Sequence, residues 1–465
     1  MPITLALVGA ALAATGPANN GRAARPPMGW RTWNQWQGAI HQSIIESNMR
    51  MLADRSRTID GRHQSLADIG YNDAGLDDGW QKCGRYGPNS YRYHDASGAP
   101  VVDLQEFPDM RHMTRLATSL NLTAGWYGNA CGCVDGCCSD HCDSIECFAG
   151  DVNATLALGF ASYKIDGCGA QRDIDLWAAL FNHSALVHGL QRGVMIENCH
   201  DGDGASPGAN APYYTADGGL WCPFHMYRTS GDARPTFGSL LGNLNSTRAL
   251  ALANLSLPGC WAYADMLELG VTNIQGRHDC GATGREECRP LAVHEARSHF
   301  GAWCVVSSPL VLSFDLADAA ELERHWETIT NTDAIAVNQD YAGHSGTQFA
   351  ESESFVNFYA CDWQPQTTPC EWPAWTAWYK PLTGTDARGS TMAILLIMNN
   401  ANKMASLSFE WASVPGLGGN VTSCAVYDVW RRLSLGTHTG SGYVAPSVAA
   451  RDSAFLTLSA CTYTA

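Results

Sequence analysis

Tyr163-Lys164-Ile165-Asp166 is a short alternating run that ends on an acid, and Asp173 to Leu190 follows it with Leu176, Trp177, Leu180, Phe181 and Val187 on one helical face. A strand, a turn that bears a carboxylate and an amphipathic helix make one βα unit. The same texture repeats on both sides of it. Strands are predicted around Met28-Trp30, Asn72-Leu76, Leu122-Tyr127, Tyr163-Ile165, Val194-Ile196, His225-Tyr227, Cys260-Tyr263 and Val305-Leu312, with helices between them such as Ile44-Arg55. Eight such units in series predict an α/β chain folded as a (β/α)8 TIM barrel.

Past Asn338-Gln339-Asp340 the helical period disappears. Ser354-Ala360, Ala374-Lys380, Thr391-Met398, Ala405-Trp411, Cys424-Val429 and Ala454-Leu458 read as strands separated by Gly, Pro, Ser and Thr. This is the texture of an antiparallel β-sandwich domain. The expected organisation is a barrel over 26–340 and a C-terminal sandwich over 345–465, with 1–14 as a signal peptide of suitable length and apolarity.

The chain has 465 residues, 45% hydrophobic, and a formal charge of −16 with no basic run. Nucleic acid and anionic membrane surfaces are therefore poor partners, and no later segment is long and apolar enough to span a bilayer. Eighteen cysteines and the sequons at Asn121, Asn153, Asn182, Asn245, Asn254 and Asn420 fit an oxidising, secretory compartment: secreted, lysosomal or vacuolar.

Polar and aromatic groups recur where the predicted strands end: Trp33, Asp77-Asp78, Tyr127, Asp166, Glu197, Arg228 with Asp232, and Asp265. Barrel enzymes gather their chemistry on that face. Taken singly, each acid is equally well explained as a helix cap. The series points instead to a working cleft.

Pro27-Met28-Gly29-Trp30-Arg31-Thr32-Trp33-Asn34 resembles the opening of glycoside hydrolase family 27, the α-galactosidases and α-N-acetylgalactosaminidases. The resemblance continues in order through Asp77-Asp78-Gly79-Trp80, Gly125-Trp126-Tyr127, Tyr163 to Cys168, Arg228-Thr229-Ser230-Gly231-Asp232, Asp265-Met266-Leu267 and Asn338-Gln339-Asp340. Val426 to Trp430 resembles part of the family's sandwich domain. It implies a retaining, exo-acting hydrolase of terminal α-galactosides that needs no metal or other cofactor, with the oligomeric state left open, a homodimer included.

Cleavage of a glycosidic bond by this route needs a carboxylate nucleophile and a carboxylic acid for the leaving oxygen. By resemblance these are Asp166 and Asp232. Lys164, two residues from Asp166, points to the same side of the strand, where its charge favours an ionised carboxylate. The resemblance gives Asp77 and Asp78 to the 4- and 6-hydroxyls of galactose, Trp33 and Tyr127 to its apolar face, and Arg228 and Asp265 to other contacts with the sugar. It also places the Cys199-His200 segment near the 2-position. For Trp33 a place in the core is the competing reading.

Two departures stand out. Glu197-Asn198-Cys199-His200-Asp201 lacks the family's usual residues after the cysteine, and Trp261-Ala262-Tyr263-Ala264-Asp265-Met266 alters the surroundings of Asp265. They leave α-N-acetylgalactosaminides and β-L-arabinopyranosides as alternative substrates. A galactose-binding lectin without activity is a further alternative.

Cys131, Cys133, Cys137, Cys138, Cys142 and Cys147 with His141 could bind zinc, but a disulfide-stapled loop suits the compartment better. Proximity suggests Cys199–Cys222, Cys280–Cys288, Cys361–Cys370 and Cys424–Cys461 as pairs. The resemblance implies Cys131 or Cys133 with Cys168.

Overall fold

The computed structural model describes residues 20–83, 93–130, 145–169, 174–187, 193–199, 211–273, 289–358 and 369–464. The signal-peptide reading, His200, the zinc candidates Cys131 to Cys142, and the Cys280–Cys288 and Cys361–Cys370 pairings fall outside these residues wholly or in part. So does the side chain of Cys168.

Eight short strands form one parallel sheet: β1 (Met28–Arg31), β2 (Asp73–Gly75), β3 (Thr123–Ala130), β4 (Ser162–Gly169), β5 (Met195–Cys199), β6 (Met226–Arg228), β7 (Trp261–Tyr263) and β8 (Leu310–Leu312). Their order is β7-β6-β5-β4-β3-β2-β1-β8, which is cyclic along the chain, as a ring of eight requires. The fold is a (β/α)8 barrel. Val305, expected to open the eighth strand, instead ends a helix that runs from Val293.

The chain divides into two compact units. The first holds the described residues up to Arg228, with Gly259–Trp261 and Val311–Ala317; the second holds the rest.

In the first unit the helices are α1 (Gln42–Leu52), α2 (Met110–Ser119), α3 (Ile145–Leu158) and α4 (Ile174–Val187). Alternation along the strands decides what each face carries. On β4, Tyr163 turns outward onto Trp177 and Phe181 of α4, with ring centroids at 5.6 and 5.1 Å. Trp126 of β3 stacks on Phe160 at 4.9 Å. The residues between them, Tyr127, Lys164 and Asp166, face the interior. Register then sets the interior rows: Tyr127 pairs with Lys164, Lys164 with Glu197, and Asp166 with Cys199.

Below these rows, Arg31 forms a buried ion pair with Asp73. Glycines make room for its guanidinium. A Cβ on Gly75 would lie 2.7 Å from it, and one on Gly125 would lie 3.2 Å away.

The second unit contains α5 (Phe237–Leu252), α6 (Val293–Val305), α7 (Ala319–Ile329), α8 (Thr332–Gln339) and an antiparallel sandwich. Its large sheet combines β9 (Thr347–Glu351), β12 (Trp375–Pro381), β13 (Ser390–Met398), β18 (Ser453–Tyr463), β15 (Val421–Asp428) and β16 (Leu433–Thr439) in that order. Two-stranded pairs are made by β10 (Phe355–Phe358) with β11 (Cys370–Pro373), and by β14 (Ala405–Glu410) with β17 (Gly442–Val448).

Strand β13 is apolar from Met392 to Met398 because both of its faces are covered there. Met392, Ile394, Leu396 and Met398 enter the sandwich core with Leu407, Phe409 and Tyr443. On the other face Leu395 approaches Gly301 of α6, where any Cβ would come within 3.2 Å of Leu395 and 2.7 Å of Trp430. Arg451 Nη1 to Glu295 at 2.9 Å and the Arg297–Asp452 pair tie the same helix to the strand end. The disulfide Cys424–Cys461 is present, as expected from proximity.

Candidate active site

Strand β2 stops at Gly75, so Asp77 and Asp78 lie on the turn beyond it, where neighbouring residues no longer have to face opposite ways. The backbone N–H of Asp77 donates to Thr32 Oγ1 at 3.0 Å, and its Oδ1 accepts the N–H of Asp78 at 2.9 Å. Lys164 Nζ reaches across from β4 to Asp77 Oδ2 at 2.8 Å. Burial penalises the ammonium, but Asp77, Cys199, Asp166 and Glu197 around it outweigh that penalty. They hold its pKa well above the ordinary lysine value.

Asp78 accepts from Gln81 Nε2 at 2.6 Å. Burial, helped by the charges of Asp77 and Asp166, pushes its carboxyl up to about 7 against the pull of the Gln81 and Gly79 hydrogen bonds. The loop carrying it is pressed against Gly38. Gly79 has φ +107°, and a side chain there would strike the Gly38 carbonyl.

Asp166, half-buried on β4, accepts the Tyr127 hydroxyl on Oδ2 at 2.6 Å. Lys164 Nζ lies 5.3 Å over the Tyr127 ring. Trp80 Nε1 donates to the Tyr127 carbonyl at 3.0 Å. Trp33, which begins a one-turn helix (Trp33–Trp36), is partly exposed, whereas Trp30 is fully buried; the core reading belongs to Trp30.

Among the described residues none of Asp77, Asp78 and Asp166 caps a helix, and the side-chain caps are Asp109, Thr236, Asp318 and Asn331.

The pairing of Cys199 with Cys222 is overturned. Cys222 is bonded to Cys260, and Cys199 is a free, buried thiol 3.5 Å from Arg228 Nη1. The cause is register: Cys199 sits opposite Asp166 and faces the barrel interior, whereas Cys222 and Cys260 lead into the adjacent strands β6 and β7.

In the second unit, Asp232 is exposed on the segment between β6 and α5, and the next residue is anchored. Ala233 N–H donates to Asp265 Oδ2 at 2.7 Å, while Asp265 Oδ1 accepts the N–H of Met266 at 2.7 Å. Asp265 is buried with φ +99°, and Trp303 Nε1 donates to its carbonyl at 2.7 Å. Asn243 Nδ2 donates to Ser230 Oγ, Gly231 O and Ala264 O, at 2.8 to 3.1 Å. The structure thus gathers Asp77, Asp78, Tyr127, Lys164, Asp166, Cys199 and Arg228 in one unit, and Asp232 with Asp265 in the other.

Glu197 and Asn129 belong with the first group. Glu197 was legible only as one more strand-end acid. It is buried in the Lys164 row, and its carboxyl is pushed up to about 7 by burial despite the nearby charges of Lys164, Arg31 and Arg228. Asn129 Nδ2 donates to the Tyr127 hydroxyl at 3.1 Å. The only sequence signal for it was its place two residues beyond Tyr127.

Among the described residues no cluster of His, Cys, Asp and Glu could hold a metal ion, and no helix is long and apolar enough to cross a membrane.

No family model matches the chain. An α-galactosidase of Oryza sativa is 23% identical over 93% of this chain and 84% of its own length. An α-galactosidase I from Mortierella vinacea has the same fold, with a TM-score of 0.67 at 21% identity over 95% of this chain and 98% of its own. A family 27 β-L-arabinopyranosidase from Geobacillus stearothermophilus superposes with a TM-score of 0.66 at 15% identity, over 94% and 97% of the two chains.

The chain is thus similar to α-galactosidases and shares its fold with a family 27 enzyme. Of the residues quoted for the resemblance, Tyr127, Lys164 and Asp166 lie in the interior rows, and Asp77 and Asp78 lie on the turn beyond β2. Glu197, in the stretch that departs from the family pattern, sits inside the same polar cluster.

Proposed function

We propose that the chain is a retaining, exo-acting α-galactosidase that releases terminal α-D-galactosyl residues by double displacement. The observation that carries this reading is the Asp166 carboxylate, fixed by the Tyr127 hydroxyl above the Lys164–Asp77 ion pair. Such a carboxylate is oriented and electrostatically supported, as a nucleophile must be.

In the first step an Asp166 oxygen attacks C1 while Asp232 gives its proton to the departing glycosidic oxygen. In the second, water that passes a proton to Asp232 attacks C1 and the Asp166 ester breaks. Asp77 and Asp78 take the 4- and 6-hydroxyls through charge-assisted bonds. Asp78, protonated below about pH 7, can also donate. Trp33 offers the sugar's C–H face an apolar wall, and Arg228, Asp265 and His200 complete the proposed set. The substrates are terminal galactosides of oligosaccharides, glycolipids or polysaccharides, met in the secretory pathway or beyond it. The Cys222–Cys260 and Cys424–Cys461 bonds support that compartment.

A panel of aryl α-galactoside, α-N-acetylgalactosaminide and β-L-arabinopyranoside tests the reading. The α-galactoside is expected to be hydrolysed fastest, with Asp166→Ala inactive. Wild-type turnover by Asp166→Ala would end the nucleophile assignment, and a faster arabinopyranoside or acetylgalactosaminide would reassign the substrate.

A further inference from the structure

We infer that Asn129 is a positioning residue for the Asp166 carboxylate, acting through the hydroxyl of Tyr127. The inference rests on the reading of Asp166 as nucleophile and adds to it how that group is held.

The argument is one of donors and acceptors. Asn129 Nδ2 lies 3.1 Å from Tyr127 Oη, which in turn lies 2.6 Å from Asp166 Oδ2. An amide nitrogen carries two protons and no lone pair, so the phenol oxygen can only accept from it. The single phenolic proton then has no competing acceptor in Asn129 and goes to the carboxylate. With its amide reversed, Asn129 would present an oxygen that competes with Asp166 for that proton. The direction of the whole chain, Asn129 to Tyr127 to Asp166, therefore follows from which end of one amide faces the phenol.

The surrounding structure keeps both residues in place. Tyr127 and Asn129 are two residues apart on β3, where its pairing with β4 shifts register after Gly128, and both are buried. The Asn129 carbonyl accepts the Tyr93 hydroxyl at 2.8 Å, and the Tyr127 carbonyl accepts Trp80 Nε1 at 3.0 Å. Tyr93 and Trp80 pack edge to face at 5.4 Å. Two aromatic donors from one segment thus pin the backbone on which the relay is built.

The chemistry benefits in both steps. A hydrogen bond to a carboxylate favours its ionised form before attack, and it favours departure of the same oxygen as carboxylate when the ester intermediate breaks.

The test is the pH dependence of kcat/KM on an aryl α-galactoside for Tyr127→Phe, Asn129→Ala, Asn129→Leu and the double variant Tyr127→Phe with Asn129→Leu. Asn129→Leu refills the volume without a donor, and thermal unfolding of each protein identifies any variant that has lost its fold. Loss of the phenol is expected to raise the acidic limb by about one pH unit and to lower kcat/KM by about tenfold. The Asn129 variants are expected to move the same limb in the same direction, and the double variant is expected to be no worse than Tyr127→Phe alone. Additive losses, or a limb unmoved by Asn129→Leu in a folded protein, would overturn the inference and leave Asn129 a packing residue. Asp166→Ala separates the two levels. If it is active, the nucleophile reading fails; if it is inactive while the double variant is additive, only the role of Asn129 falls.

Discussion

The backbone N–H of Ala233 donates to the carboxylate of Asp265 at 2.7 Å, so a buried acid after β7 holds the residue that follows Asp232. The other Asp265 oxygen is taken by the N–H of Met266, also at 2.7 Å. A carboxylate satisfies both donors, whereas an amide has one acceptor and would meet one of them with an N–H. Asp265→Asn is therefore expected to loosen the Asp232 segment. The proposed proton donor matters most when the leaving group is poor. The loss should reach about a hundredfold in kcat for an alkyl α-galactoside and be much smaller for an activated aryl one. Equal losses on both would show that Asp265 acts on the sugar and not through Asp232.

Lys164 and Asp77 form an ion pair with both side chains at 5% exposure or less. Removal of one partner of such a pair strands the other charge in the interior, at a cost of about 3–5 kcal/mol. Lys164→Met should lower unfolding stability by that order in denaturant titration. Addition of Asp77→Asn should restore part of it while activity stays lost. A Lys164→Met protein as stable as the wild type would refute the pairing.

Glu197 gives a pH signature. Its folded carboxyl titrates near 7 against 4.5 for the ordinary group, because burial disfavours its charge. Between those values the folded state binds more protons than the unfolded one. The stability due to this group is full below about pH 4.5 and is lost as pH rises through 7. Glu197→Gln cannot ionise. Its midpoint of urea unfolding should match that of the wild type at pH 4.5 and exceed it at pH 8. Parallel curves for the two proteins would contradict the burial of this acid.

The disulfide Cys222–Cys260 closes a separation of 38 residues. Loop-closure entropy for that length corresponds to about 4 kcal/mol. Cys222→Ser should lose stability on that scale, whereas Cys199→Ser should leave the bond intact. A non-reducing peptide map containing a 199–222 link would reverse the assignment.

The eight barrel strands were legible because each is a short buried run before a polar turn, and each was located to within a few residues. Trp126 and Tyr163, facing helices, and Tyr127 and Lys164, facing inward, show the alternation that made this possible. Val305 was misread because the apolar end of a buried helix runs straight into an apolar strand, with no change of composition at the border. In the sandwich, Thr347–Glu351, Cys370–Pro373, Leu433–Thr439 and Gly442–Val448 went unnoticed. Leu433–Thr439 is an exposed edge strand with no apolar face to betray it. Asp77, Asp166 and Glu197 stand out in the sequence as strand-end acids, and the structure sets all three around Lys164. What sequence could not supply was connectivity: that Lys164 would choose Asp77, that Cys199 would stay free, and that Asn129 would stand behind Tyr127. These depend on the register of strands far apart in the chain.

The guanidinium of Arg31, lodged over Gly75 and Gly125 and paired with Asp73, fills the space between β1, β2 and β3. Neither glycine could take a side chain without displacing that group, so three neighbouring strands share one charged filler.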